Sequence, residues 1–488
     1  MTPARRIGLV GGALLFLLLL ALPGPAGLSP EGWRAAAVAT LMAVWWMTEA
    51  IPIPATALLP LALFPTLGIL DMTNAAAPYA NQLIFLFMGG FLIALAMERW
   101  GLHRRMALAI MAFVGTGPKR LVLGFMVATA FLSMWISNTA TATMMLPIAI
   151  AVAEVFRPDD LDGEENAFPF GVALMLGIAY GASIGGVATL IGTPPNAVMA
   201  AAAEELLDVR IGFVQWMSVG LPVTTVFLPL AWVLLVQVLH PPGRISGDAG
   251  DVIRDERRGL GPTSRAEKTV AVVFVLAALS WIFRSPKDFG VVTIPGINTF
   301  APWVLDSTIA MVAAMLLFLI PVDWKKGTFA LDWTTARKMP WGVLVLFGGG
   351  LSLARAMDQT GLAAWIGGGV GGLGFLPTMA LLAVVAALFV FLTEVTSNTA
   401  TSTMAMPIMV GVGAGLGFPA VTLMATAAMS ASMAFMLPVA TPPNAIVFGS
   451  KYLTIPRMVK AGFWMNLVAI ALITLTATFL VPAVLLGS

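Results

Sequence analysis

The chain has 488 residues, of which 59% are hydrophobic and only 10% charged. That leaves too little polar surface for a water-soluble protein of this length, so the sequence reads as an all-α polytopic membrane protein. Cysteine is absent, which excludes disulfides and thiolate chemistry, and a net charge of +2 gives no reason to expect a nucleic-acid partner.

The opening MTPARRIGLVGGALLFLLLLALPGPAG has the basic, apolar and small-residue parts of a secretory signal. Because the remainder of the chain is also membrane, it reads as an anchor retained as the first helix. Uncharged runs at 7–23, 34–49, 53–70 and 82–98 predict the first four spans, followed by a basic segment, Glu98–Arg120. The run 121–156 is too long for one crossing and has Pro147 near its centre, so it is expected to be a re-entrant hairpin. Its middle, SNTATAT (Ser137–Thr143), is polar although Leu121–Ala153 holds no charge. The charged loop RPDDLDGEEN comes next, then runs 168–204 and 213–239, a polar loop at 240–268, and runs 269–283, 302–321 and 341–357. Run 376–417, with Pro407, predicts a second hairpin, and 420–450 and 459–486 complete the chain. Runs 168–204 and 420–450 each contain Thr-Pro-Pro-Asn; two adjacent prolines remove two backbone donors, so both read as spans broken midway.

This gives about 11 transmembrane helices plus two re-entrant hairpins. With the N-terminus in the cytoplasm, 21 of the 26 Lys and Arg fall in cytoplasmic segments, leaving Arg34, Arg210, Arg284, Lys287 and Arg355 elsewhere. The positive-inside rule therefore favours the hairpins and places the C-terminus outside.

An internal repeat underlies the pattern. Phe131–Ile148 (FLSMWISNTATATMMLPI) and Phe391–Ile408 (FLTEVTSNTATSTMAMPI) are identical at 11 of 18 positions, at an offset of 260. The same offset relates Leu83–Leu102 to Val343–Leu362, and an offset of 248 relates GTPPNA (Gly192–Ala197) to ATPPNA (Ala440–Ala445). The two copies run in opposite directions through the membrane. Inverted repeats with discontinuous helices are the architecture of secondary transporters, which bind substrate and ions where the repeats meet.

Each repeat then supplies a Ser-Asn-Thr in a hairpin and a Thr-Pro-Pro-Asn in a broken span. Helix N-termini, hydroxyls and amides can meet an anion without a fixed Lys or Arg, while unwound carbonyls with Asn and Ser oxygens suit a small hard cation. A single such motif reads better as helix packing, but its duplication beside the Pro-Pro motif favours binding. The glycine pairs Gly89–Gly90 and Gly348–Gly350 read as close helix contacts. Glu394 lies within the second hairpin, where the first repeat has Met134. It is either a proton or cation group, or a structural group in a wet vestibule or buried pair; the structural reading is preferred. Glu49 is expected at a cytoplasmic boundary, and Arg355 with Asp358 as a structural pair. An intramembrane enzyme is disfavoured: neither histidine lies within a span, no H-E-x-x-H is present, and no base stands beside Ser137 or Ser397.

The duplicated Ser-Asn-Thr hairpins, each with Thr-Pro-Pro-Asn downstream, together with TEAIPIP near the start, resemble the divalent anion/sodium symporter family over nearly the whole chain. The resemblance implies an inner-membrane homodimer whose transport domain moves as an elevator against a scaffold. Residues 1–120 and 207–375 would supply scaffold helices (207–375 also beginning the second repeat), 121–206 and 376–450 the transport domain, and 451–488 a C-terminal helix. It implies no cofactor, with sodium as the coupling ion, at one site using Ser133, Ser137, Asn138 and Gly192 and a second using Thr393, Thr396, Asn398 and Ala440. Substrate carboxylates would meet Asn138, Thr139, Asn398 and Thr399, flanked by Thr193, Thr441 and Pro442. Relatives of this kind carry dicarboxylates, citrate or sulfate; binding groups from two hairpins suit a C4-dicarboxylate such as succinate, malate or fumarate. A sodium-independent dicarboxylate exchanger is the alternative.

Overall fold

The computed structural model describes residues 3–157, 168–242, 250–288, 290, 292–370, 372 and 375–486, so most of RPDDLDGEEN and part of the 240–268 loop lie outside the described residues. The described chain is helical apart from two short antiparallel strand pairs, Lys287–Asp288 with Thr293–Ile294 and Pro321–Asp323 with Thr328–Phe329. Pro3–Ala21, Pro30–Thr48 and Gln82–Arg99 are continuous helices, and the third predicted span divides into Ile53–Thr56 and Leu59–Thr66. Phe213–Val233 continues through a π-helical turn to Leu239, and Ile455–Leu475 does so to Leu486. Arg265–Ile282, Asp306–Leu319 and Trp341–Gln359 lie between the two repeats' hairpins.

Both long runs fold back. The first hairpin is Pro118–Ser133 and Asn138–Val155; the second is Thr378–Thr393 and Asn398–Leu416. Both legs of the first pack along one helix, Pro169–Gly186, and both legs of the second along Ala420–Ala431. Among the described residues seven helices are long and apolar enough to cross a membrane, and two of them are return legs of these hairpins, Asn138–Val155 and Asn398–Leu416. Length alone therefore does not separate a crossing from a re-entrant leg. Both Thr-Pro-Pro-Asn motifs fall in breaks: Pro169–Gly186 resumes as Pro194–Leu207, and Ala420–Ala431 resumes as Pro442–Phe448. Proline stands at the first turn of each resumed helix, where a missing N–H leaves no intrahelical bond unmade.

The glycine pairs are close contacts, and they repeat. A Cβ on Gly89 would lie 2.6 Å from the Ala310 backbone, and one on Gly349 would lie 2.1 Å from the Ala57 carbonyl. The next glycine in each pair, Gly90 or Gly350, faces Ile191 or Thr403, residues of the broken-helix and hairpin group.

Two features differ from the sequence reading. The basic segment contains a helix, Leu102–Val114, which buries Ala107, Leu108 and Met111 on one stripe and Leu102 at its start. Its arginines do not break it; they face outward, Arg104 to Glu256 on helix Gly250–Gly259 and Arg105 to Glu267 at 2.8 Å. Arg355 does not pair with Asp358. Its Nε donates to Glu205 at 2.6 Å, a residue 150 positions away on the first broken helix.

Candidate functional site

The polar motifs first do local work. Ser137 caps the return leg of the first hairpin, its Oγ accepting from Ala140 N at 3.2 Å, and Ser397 occupies the same place in the second. Ser133 Oγ then donates to Asn138 Oδ1, and Thr393 Oγ1 approaches Asn398 Oδ1 at 2.7 Å, so each hairpin tip is closed by the same bond. The asparagine of each Thr-Pro-Pro-Asn holds its break open. Asn196 Nδ2 donates to Gly186 O at 3.1 Å and Thr189 O at 2.7 Å; Asn444 Nδ2 donates to the equivalent Ala434 O at 3.1 Å and Leu437 O at 3.0 Å. These carbonyls were released where the helices end, and an unpaired buried carbonyl is costly. Sequence reasoning singled out the prolines and missed the two asparagines as staples, although their duplication was visible.

The four interruptions meet. Ser137, Asn138 and Thr139 from one tip and Thr396, Asn398 and Thr399 from the other line one cavity of about 970 Å³. Gly192 and Thr193, with Ala440, Thr441 and Pro442, form its remaining polar wall. Ser133 and Thr393 do not line it; both are fully buried one layer behind the tips. Apolar side chains that the sequence did not mark, including Phe91, Ile191, Val343 and Val395, complete the lining. Among the described residues, charge enters only from Arg5, Glu49, Glu98 and Lys338, of which Arg5 and Glu49 pair at 2.6 Å. Neither histidine lines the cavity: burial holds His103 below its usual pKa and, helped by Arg457 and Lys460, pushes His240 down to about 4.

Two oxygen clusters flank the tips. A Cβ on Gly192 would lie 2.4 Å from Gly186 O and 3.0 Å from Ser133 O, and one on Gly186 would lie 2.9 Å from Asn138 Oδ1 and 3.3 Å from Gly192 O. In the second half, Thr393 Oγ1 lies 2.7 Å from Asn398 Oδ1 and 2.8 Å from Ala431 O. One hydroxyl thus gathers a carboxamide oxygen and a carbonyl oxygen around it. Such oxygen-rich pockets fit a hard cation. Asn138 and Asn398 both line the cavity, where three helix N-termini of eight residues or more also begin.

Glu394 is 3% exposed and takes only donors: Phe435 N at 2.7 Å, Met436 N at 2.9 Å, Leu437 N at 3.1 Å and Asn466 Nδ2 at 2.8 Å. It is a buried brace for the second break, and no wet vestibule surrounds it. Glu394→Ala would orphan three backbone N–H groups, each costing roughly 1–3 kcal/mol, so a loss of about 3 kcal/mol or more is expected. Thermal unfolding in detergent should show it, with Glu394→Gln intermediate because it keeps one acceptor oxygen; an unchanged Tm for the alanine variant would refute the bracing role.

Inverted hairpins and broken helices converging on one midchain cavity define a polytopic membrane transporter. The chain belongs to the sodium:sulfate symporter family, whose transmembrane region matches residues 5–486. The sodium-dependent dicarboxylate transporter SdcS of Staphylococcus saprophyticus is 43% identical over 489 residues, covering 99% of this chain and 92% of that protein. SdcS of Staphylococcus aureus strain RF122 is 42% identical over 490 residues with the same coverage. Among solved structures, the Alcanivorax borkumensis YdaH transporter superposes with a TM-score of 0.60 at 16% identity, covering 98% of each chain. Neisseria gonorrhoeae MtrF gives 0.59 at 13% identity, covering 97% of this chain and 95% of its own. At these identities the two structures share the fold.

Proposed function

We propose that the chain is a sodium-coupled secondary transporter that imports divalent anions, C4-dicarboxylates foremost. The observation that carries this reading is the convergence of two Ser-Asn-Thr tips on one cavity with no Lys or Arg among the tip residues. Donors approach from two sides and suit an elongated anion with a carboxylate at each end. Its charge is balanced by sodium ions in the oxygen clusters: Ser133, Ser137, Asn138 and Gly192 hold one, and Thr393, Thr396, Asn398 and Ala440 the other. Asn138, Thr139, Asn398 and Thr399 bind the carboxylates, with Thr193, Thr441 and Pro442 beside them. The dicarboxylate transporters named above, more than 40% identical over 99% of this chain, support the substrate class and the ion.

In this reading the hairpins and broken helices travel together against the remaining helices, as an elevator, in each protomer of a homodimer in the plasma membrane. Gly90 and Gly350 give that boundary a low profile. Arg5 and Lys338 at the cavity mouth belong to the segments that charge assigns to the cytoplasm, so the cavity faces inward, with the N-terminus inside and the C-terminus outside. Each sodium ion entering down the membrane potential contributes about 2.3 kcal/mol per 100 mV. More than two per dianion make the cycle electrogenic.

The test is a panel of labelled succinate, citrate and sulfate in liposomes, with external sodium or choline. Succinate uptake is expected to fall at least about tenfold in choline, as a coupling free energy above about 1.4 kcal/mol requires. Uptake that ignores sodium but needs internal dicarboxylate would establish an exchanger instead, and no uptake of any of the three would overturn the transport reading.

A further inference from the structure

The two ends of the first resumed helix, Pro194–Leu207, meet different surroundings. Pro194, at its start, lines the cavity, whereas Glu204 and Glu205 stand in its last turn, about 16 Å further on at 1.5 Å per residue. Both carboxylates reach off their own helix. Glu205 Oε1 accepts from Arg355 Nε at 2.6 Å, and Arg355 Nη1 also donates to Asn74 O at 3.4 Å. Glu204 accepts from Gln82 Nε2 at 2.6 and 2.7 Å. The receiving side is itself tied together, since Ser352 Oγ, on the same helix as Arg355, donates to Ala75 O at 2.8 Å.

The corresponding end in the second half is fastened differently. Tyr452, at the offset of 248 from Glu204, donates its OH to Glu154 Oε1 at 2.6 Å, and its ring fills the space beside Gly171. Glu154 belongs to the first hairpin and Gly171 to the first broken helix. These contacts run within the hairpin and broken-helix group, whereas those of Glu204 and Glu205 run out of it. The asymmetry matches the asymmetry of access: Arg5 and Lys338, which line the cavity, and Lys451, the neighbour of Tyr452, are among the Lys and Arg that charge assigns to the cytoplasm, whereas Arg210 and Arg355, at the outward ties, are not.

We propose that the Glu205–Arg355 ion pair, backed by Glu204–Gln82, is the latch of the closed face, holding the inward-open arrangement until it releases for the cavity to open outward. The proposal rests on the elevator reading above. Its chemistry suits reversible use. The Glu205 and Arg355 side chains keep 14% and 23% exposure, so neither is sealed in a dry interior where separation would leave an unsolvated charge. A second cavity of about 320 Å³, lined by Gln82 and Glu204, can hydrate the backing pair when it parts. Glu204 also pairs with Arg210 at 3.0 Å, a residue just beyond its own helix.

The absence of cysteine makes the test direct. Val439, apolar, 83% exposed and lining the cavity, becomes the reporter as Val439→Cys. A membrane-impermeant maleimide is applied to the cytoplasmic face in inside-out vesicles without substrate. Glu205→Gln and Arg355→Gln are each expected to slow labelling about five- to tenfold, because the inward-open population falls by that factor. The exchange Glu205→Arg with Arg355→Glu should label faster than either charge reversal alone. Gln82→Leu, a milder change expected to slow labelling about twofold, keeps the test alive if a charge variant does not insert. Unchanged labelling in the inserted variants, or an exchange no better than its single reversals, overturns the latch. Because accessibility is read and not uptake, a wrong substrate or ion would leave this result standing while the uptake panel failed.

Discussion

Asn138→Ala and Asn398→Ala are each expected to reduce sodium-driven uptake at least about a hundredfold while the protein still inserts and folds. Each side chain does two things in the proposed site. Its Oδ1 sits in the oxygen cluster beside Ser133 or Thr393, and the residue lines the cavity, where its amide is proposed to meet a carboxylate. Alanine removes a cation ligand and an anion donor together. A hydrogen bond to a charged group is worth roughly 1.5–3 kcal/mol, so losing one with a cation ligand exceeds the 2.7 kcal/mol or so of a hundredfold change. The fold should survive because the return helices keep their caps: Ser137 Oγ still accepts from Ala140 N, and Ser397 Oγ is placed likewise. Thr143→Ala is the control, since this exposed hydroxyl bonds back to Thr139 O at 2.8 Å and should change uptake less than about twofold. Labelled succinate uptake, read beside gel filtration of each variant, decides the matter. Full uptake by either asparagine variant rejects the site assignment.

Much of this site was legible because duplication and breakage both leave marks in sequence. A long uncharged run with a central proline, a polar cluster inside it and a second copy 260 residues later required no coordinates. What stayed hidden depends on partners distant in sequence. Glu394 stands in an apolar run, but its donors come from Phe435–Leu437, where another helix stops. Nothing near Glu394 in the chain announces them. Arg355 has an acid three residues away, the usual spacing for a helix pair, yet its guanidinium crosses to Glu205. Local spacing permits a pair; which acid wins is decided by what the neighbouring helix presents. The helix Leu102–Val114 was obscured for the opposite reason. Arg104 and Arg105 read as a break between spans, and the same charges masked an amphipathic stripe too short to read as a span.

The two oxygen clusters also differ in a way that predicts unequal tolerance. Gly192→Ala is expected to abolish sodium-driven uptake, by at least about a hundredfold, whereas Ala440→Gly at the equivalent position should stay within about threefold. A methyl on Gly192 would stand 2.4 Å from Gly186 O and 3.0 Å from Ser133 O, both backbone atoms. Neither can swing aside as a flexible side chain would. Gly186 O is held by Asn196 Nδ2 at 3.1 Å, and Ser133 belongs to the last turn of the hairpin leg. Relief therefore requires the break and the hairpin tip to separate, which pulls apart the oxygens proposed to bind the first sodium ion. The second half already carries methyl groups at both corresponding positions, Ala434 and Ala440, so it has the room that the first lacks. Uptake measured across a sodium titration separates the outcomes. If Gly192→Ala keeps wild-type uptake and an unaltered sodium dependence, the first cluster does not hold a cation. If uptake survives with a lower sodium order, the cluster binds an ion that the cycle can run without, and the claim of abolition fails while the site stands. Loss of uptake in Gly192→Ala beside near-normal Ala440→Gly is the result that the crowding around Gly186 and Gly192 requires, since the substitution adds one carbon and touches no side chain of the anion site.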